Sequence, residues 1–139
     1  EGVKIAEKAM LPKAVISFIR THHGRGKAKY FYNSFKNQYP DKPINDELFT
    51  YPGPDPFSKE TAVLMMADSV EAASRSLKEH TEESISALVN KIIDGQIADG
   101  LLKSAPLTFK DVETVKSVFV DKLKTMFHTR ISYPDLKKQ

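Results

Sequence analysis

Cysteine is absent from the sequence. Disulfides and thiolate metal sites are thereby excluded, and the absence fits a reducing compartment. Long apolar runs are missing too. The longest, Ala14 to Ile19 and Ala62 to Ala67, fall far short of the roughly 20 residues that a membrane-spanning helix requires. There is no long Lys/Arg block. A formal net charge of +3 and a pI near 9.0 therefore permit an anionic ligand without demanding a nucleic-acid polymer. Internal repeats, low-complexity tracts and convincing strand alternation are also lacking. No nucleophile elbow, phosphate-binding glycine loop or Cys/His finger is present. Gly24-Arg25-Gly26 has too few glycines and follows a helix rather than a strand.

What remains is the composition of a globular protein: 139 residues, 40% hydrophobic and 28% charged. That length suits one domain with a real core. The pattern reads as all-α, with about five to six helices. A short helix covers about Val3 to Met10. Pro12 sits in the first turn of a second, which runs to about His23 with Val15, Ile16, Phe18 and Ile19 on its apolar face. Gly24 and Gly26 stop it. A third helix covers Lys27 to Gln38, and its aromatics Phe31, Tyr32, Phe35 and Tyr39 recur at core spacing. From about 39 to 57 the chain is a proline-rich loop, a length that is often functional. Ser58 caps a helix to about Leu77, and Thr81 caps the next, with Ile85, Leu88, Val89, Ile92, Ile93 and Ile97 in one stripe. Thr108 and Asp111 form a capping box ahead of a last helix to about Thr129. That helix buries Val112, Val115, Phe119, Leu123 and Met126.

Two places stand out chemically. His22-His23 end an apolar helix, with Arg20, Arg25, Lys27 and Lys29 close by. Imidazole suits a metal and the cations suit phosphate oxygens. A histidine at a helix C-terminus also interacts favourably with the helix dipole and needs no further role. Asp68 lies in the apolar run 62–70 and shares a face with Leu64, Met65 and Ala72. If buried, it requires a cation, a metal or a proton; at the helix edge it simply meets water. The Tyr51-Pro52-Gly53-Pro54 segment reads as a rigid connector or as the rim of a pocket.

Taken together, these segments resemble a known family. Leu11-Pro12, Phe18-Ile19-Arg20-Thr21-His22-His23-Gly24, Tyr30-Phe31-Tyr32, Tyr51-Pro52-Gly53-Pro54, Lys59-Glu60-Thr61-Ala62 and Met66-Ala67-Asp68-Ser69-Val70-Glu71-Ala72-Ala73 follow in order. Ile92-Ile93 and Arg130-Ile131-Ser132-Tyr133-Pro134 complete the series. The whole is similar to the second half of the HD domain in HD hydrolases of the seven-transmembrane receptor type, the PgpH-type cyclic-di-AMP phosphodiesterases. The resemblance implies a partial HD-type helical bundle over residues 1–139. It places one ligand of a two-metal centre, iron or manganese, on His22, with His23 second in rank. It places a ligand of the other metal on Asp68. It implies hydrolysis of cyclic-di-AMP to pApA in the intact domain. Arg25 and Lys27, with Tyr51 at the rim, are the candidate phosphate and substrate contacts.

The family's His-Asp pair and further His ligands lie upstream of the His-His-Gly segment, and no His-Asp dipeptide occurs here. With Glu1 in place of a starting Met, the expectation is a piece of a longer protein that is inactive alone. The parent is expected to be anchored in a bacterial inner membrane with this domain in the cytoplasm, and homodimerisation is compatible with that reading. The competing class is a degenerate HD or helical regulatory module that binds a nucleotide or protein partner without hydrolysis.

Overall fold

The computed structural model describes residues 1–128; the 130–134 block and the Lys137-Lys138 tail lie outside the described residues. Among the described residues six helices follow in order: α1 Gly2–Lys8, α2 Lys13–Thr21, α3 Lys29–Gln38, α4 Lys59–Ser74, α5 Glu82–Ala98 and α6 Phe109–His128. A short 3-10 turn, Asp46–Phe49, interrupts the proline-rich loop. No strand occurs among the described residues, only one isolated antiparallel bridge between Lys27 and Thr50.

The core is the three-way packing of α4, α5 and α6. Ala62, Met65, Met66 and Val70 of α4 meet Ile85, Val89 and Ile93 of α5, spaced four apart so that they share one face. Val112 and Leu123 of α6 close the cluster, with Leu101 and Leu102 from the connection. Ile97 and Met126, expected inside, are 43% and 41% exposed; in α6 Leu123 and Phe127, four residues apart, take the inward face, and Met126 beside them does not.

Each of these helices starts on a reciprocal side-chain cap. Ser58 pairs with Thr61, Thr81 with Ser84, and Thr108 with Asp111. Helix α5 ends on a Schellman motif: the Leu101 N–H reaches the Gln96 carbonyl and the Gly100 N–H the Ile97 carbonyl, with Gly100 at φ +74. Helix α4 ends at Ser74 rather than Leu77, because the Ser74 and Ser76 hydroxyls bond the carbonyls of Glu71 and Ala73.

The N-terminal helices are less secured. Helix α1 stops at Lys8, since Met10 adopts φ 53 in the same type of motif that glycine usually closes. Pro12 is the residue before α2 rather than its first turn. Helix α2 packs on both α1 and α4 but is only half-buried at Ile16, Phe18 and Ile19, with Val15 exposed. The aromatics of α3 are not core. Tyr32 and Phe35 lie against Phe49, and Phe35 against Tyr39, in a surface cluster that leaves Tyr30 and Phe31 77% and 63% exposed.

Candidate functional site

Helix α2 ends where Thr21, fully buried, donates its hydroxyl to the Ser17 carbonyl. The chain then turns through His22 to Gly26. The Gly24 N–H bonds the Thr21 carbonyl and the Gly26 N–H the His23 carbonyl. Gly24 has φ +51, and a Cβ there would lie 2.8 Å from Asp55 Oδ1, so only glycine fits. The same Asp55 oxygen accepts the Arg25 N–H at 2.7 Å. The proline-rich loop is thus fastened to the histidine turn. Residues 49–51 add backbone bonds: Ala28 N–H to the Phe49 carbonyl at 2.7 Å, and Tyr51 N–H to the Gly26 carbonyl at 3.0 Å. These bonds also explain why α3 begins at Lys29 rather than Lys27.

The two histidines are differently employed. His22 Nδ1 lies 2.9 Å from the Ile19 carbonyl, which can only accept, so Nδ1 is the donor and in the neutral ring the lone pair is on Nε2. A backbone carbonyl on the rear nitrogen is the usual way a ligating imidazole is oriented. His23 stacks on Tyr51, with ring centroids 4.3 Å apart and planes 21° from parallel. Its Nδ1 approaches Asp68 Oδ2 at 3.8 Å. Partial burial, reinforced by His22 beside it, pushes His23 below the usual imidazole value against the opposing pull of Asp68.

Asp68 is not buried: its side chain is 47% exposed. The buried stripe of α4 runs through 62, 65, 66 and 70, so position 68 points away from the core, beside Leu64 at 39% exposure. No low-dielectric cost has to be offset there. Nitrogen and carboxylate donors of this kind suit a borderline divalent cation. Among the described residues, no group of three His, Cys, Asp or Glu side chains is arranged to hold a metal.

The other expected contacts are placed as follows. Lys27 donates to Asp46 at 2.8 Å and lies over the Tyr32 ring, and the Asp46 hydrogen bond raises its pKa. Arg25 is exposed beside Gly53. Tyr51 is at the rim, in ring contact with His23. A cleft of about 240 Å³ opens beside His22 and His23, and Lys29, Ser69, Lys91, Gln96 and Asp99 also line it. Asp55, Ser69, Lys91 and Gln96 escape a sequence reading. Asp55 lies in a run of prolines, and the α4 and α5 residues are ordinary polar positions until the helices pack.

The helical order, the histidine turn and the facing aspartate define the class, an all-helical domain with the HD fold. The solved HD domain of Listeria monocytogenes PgpH in complex with cyclic-di-AMP superposes with a TM-score of 0.84 at 32% identity, over 95% of this chain and 61% of that one. The chain is a homologue of the PgpH HD domains. It is 38% identical over 139 residues to the cyclic-di-AMP phosphodiesterase PgpH of Bacillus subtilis (strain 168) and 33% identical over 137 residues to that of Listeria monocytogenes serotype 1/2a (strain 10403S). All or nearly all of this chain is covered in each case, but it spans only 19% of those curated relatives. No family model matches the chain. Among the described residues, no helix is long and apolar enough to cross a membrane.

Proposed function

We propose that this chain is the C-terminal part of an HD domain that hydrolyses cyclic-di-AMP to pApA. In this reading the domain belongs to the cytoplasmic portion of a membrane-anchored protein. The observation that carries it is the meeting of the histidine turn with Asp68, 3.8 Å from His23 Nδ1, within a fold shared with a PgpH domain in complex with cyclic-di-AMP.

His22 offers Nε2 as a metal ligand, and Asp68 offers a solvent-facing carboxylate to the neighbouring position. His23 is the weaker ligand candidate, since Tyr51 and Asp68 already occupy its ring. A divalent pair of iron or manganese, when bound, supplies Lewis-acid charge at the phosphate and acidifies a water. The protein's part is to hold the phosphodiester in line. Tyr51 walls one side, and the exposed Arg25 side chain meets the phosphate oxygens; Lys27 can join only by leaving Asp46.

The test uses the protein with its HD domain in full. His22→Ala and Asp68→Ala are each expected to abolish cyclic-di-AMP hydrolysis and to lower bound metal, with folding intact. Full activity in both variants would sink the assignment. Binding of cyclic-di-AMP without hydrolysis by the unaltered protein would instead identify a regulatory module.

A further inference from the structure

We propose that Lys29 and Lys91 form a second phosphate-binding subsite, which holds the phosphodiester of a cyclic dinucleotide that is not being cut. The inference rests on the substrate class proposed above and extends the site across the cleft to α5.

Three observations converge on it. The first is placement. The cleft beside His22 and His23 has Lys29, at the start of α3, and Lys91, on α5, in its walls. The second is the state of the cations. Lys27 in the same cleft is held by Asp46, and Lys59, Lys116 and Lys124 elsewhere each have a carboxylate within 2.9 Å. Lys29 and Lys91 are exposed and, like several lysines outside the cleft, have no ion-pair partner among the described residues; what sets them apart is that they line it. Asp99 is the carboxylate that lines the cleft, and the lysines outnumber it. The third is an unmet acceptor. Gln96, 8% exposed, donates through Nε2 to Ser69 Oγ at 2.8 Å, while its Oε1 has no hydrogen-bond partner among the described residues. A buried acceptor in the wall of a binding cleft is left for a donor that arrives with the ligand, such as a ribose hydroxyl or an exocyclic amine.

The chemistry selects a ligand with two phosphates. A cyclic dinucleotide carries its two phosphodiesters on opposite sides of one macrocycle. When one lies at the histidine turn, the other is carried away from it, and the cleft leads to two unpaired ammonium groups. Lysine serves here as a point charge, tolerant of the angle at which the phosphate arrives. Binding the remote phosphate fixes the rotation of the ring about the reacting one.

The experiment compares a two-phosphate with a one-phosphate substrate, cyclic-di-AMP against bis(p-nitrophenyl) phosphate, in the protein with its HD domain in full. Lys29→Ala and Lys91→Ala are each expected to raise KM for cyclic-di-AMP about tenfold or more, the loss typical of a charge-assisted contact. The loss on the one-phosphate substrate is expected to be much smaller, and Lys91→Arg to recover most of the cyclic-di-AMP KM. Both positions are exposed, so unchanged melting temperatures are expected. Equal losses on the two substrates, or none on cyclic-di-AMP, would overturn the subsite. If the unaltered protein does not cleave cyclic-di-AMP, the proposed reaction fails and the subsite is read from equilibrium binding. A Kd for cyclic-di-AMP about tenfold weaker in each variant supports it; an unchanged Kd, or no binding, refutes it.

Discussion

Helices α4, α5 and α6 and helices α1, α2 and α3 come from one chain but are secured differently. Each of the later three begins on a reciprocal side-chain cap and buries apolar residues in the shared core. The earlier three have no side-chain cap, and only Ala6 and Thr21 are buried in them. The candidate site lies at the joint. The less secured half brings the histidines and the firmly packed half brings Asp68, Lys91 and Gln96. What fixes the histidine turn is a set of local fastenings: Thr21 inside, Asp55 on the Arg25 N–H, Tyr51 on the His23 ring. Stability and chemistry are thus separable, and the comparison can be attacked from either side.

The largest effect is expected in the core. Ile93 is fully buried between α4 and α6, and Ile93→Ala should cost about 2–5 kcal/mol in transfer and cavity energy. Ile5 in α1 is 63% exposed, and Ile5→Ala should stay within about 0.5 kcal/mol. Urea unfolding of the two variants measures both. Similar losses would show that the N-terminal layer is as much a part of the cooperative unit as the core.

Two glycines sharpen the contrast with opposite signs. At Gly24, φ +51 and the closeness of Asp55 Oδ1 make Gly24→Ala unfavourable by about 1–3 kcal/mol. At Gly95, in the interior of α5, an added Cβ meets nothing within 4 Å, and Gly95→Ala should stabilise by about 0.5–1 kcal/mol. Thermal melts decide the signs. A neutral Gly24→Ala would mean that the Asp55 clamp yields easily and does not fix the histidine turn.

Much of the packed half was legible in the sequence. The four-residue recurrence of Ile85, Val89 and Ile93 is what a buried helix face requires, and Ser58, Thr81 and Thr108 announce their helices by capping chemistry. The aromatics of α3 misled, because helical spacing says that residues share a face and not what covers it. In the sequence Asp68 stays open between burial and the helix edge for a related reason: apolar neighbours on both sides do not show which way a helix turns its one carboxylate, and the edge is where it lies. His22 and Asp68 stand out by residue type and setting, and the similarity to the PgpH family is what proposes metal-ligand roles for them. The Asp55 clamp and the α5 wall of the cleft appear only once residues distant in sequence are brought together.

The smallest effect lies where α4 and α6 begin. Asp111 accepts the Thr108 N–H at 2.9 Å and receives the Lys59 ammonium, also at 2.9 Å, so one carboxylate caps α6 and ties it to the first residue of α4. The Thr108 backbone bond, then Lys59, lower its pKa from 3.8 to about 2. A carboxylate bound more tightly as the anion in the folded state stabilises fully above its ordinary value near 3.8, and the contribution is lost as pH falls through about 2. Asp111→Asn keeps an oxygen for the Thr108 N–H but loses the charge. Unfolding free energies measured between neutral and strongly acidic pH should therefore show the variant less stable near neutrality, with the gap closing as the solution is acidified through that window. A gap that stays constant down to the acid limit would assign the cap's strength to hydrogen-bond geometry alone, and the link between the two helix starts would then owe nothing to charge.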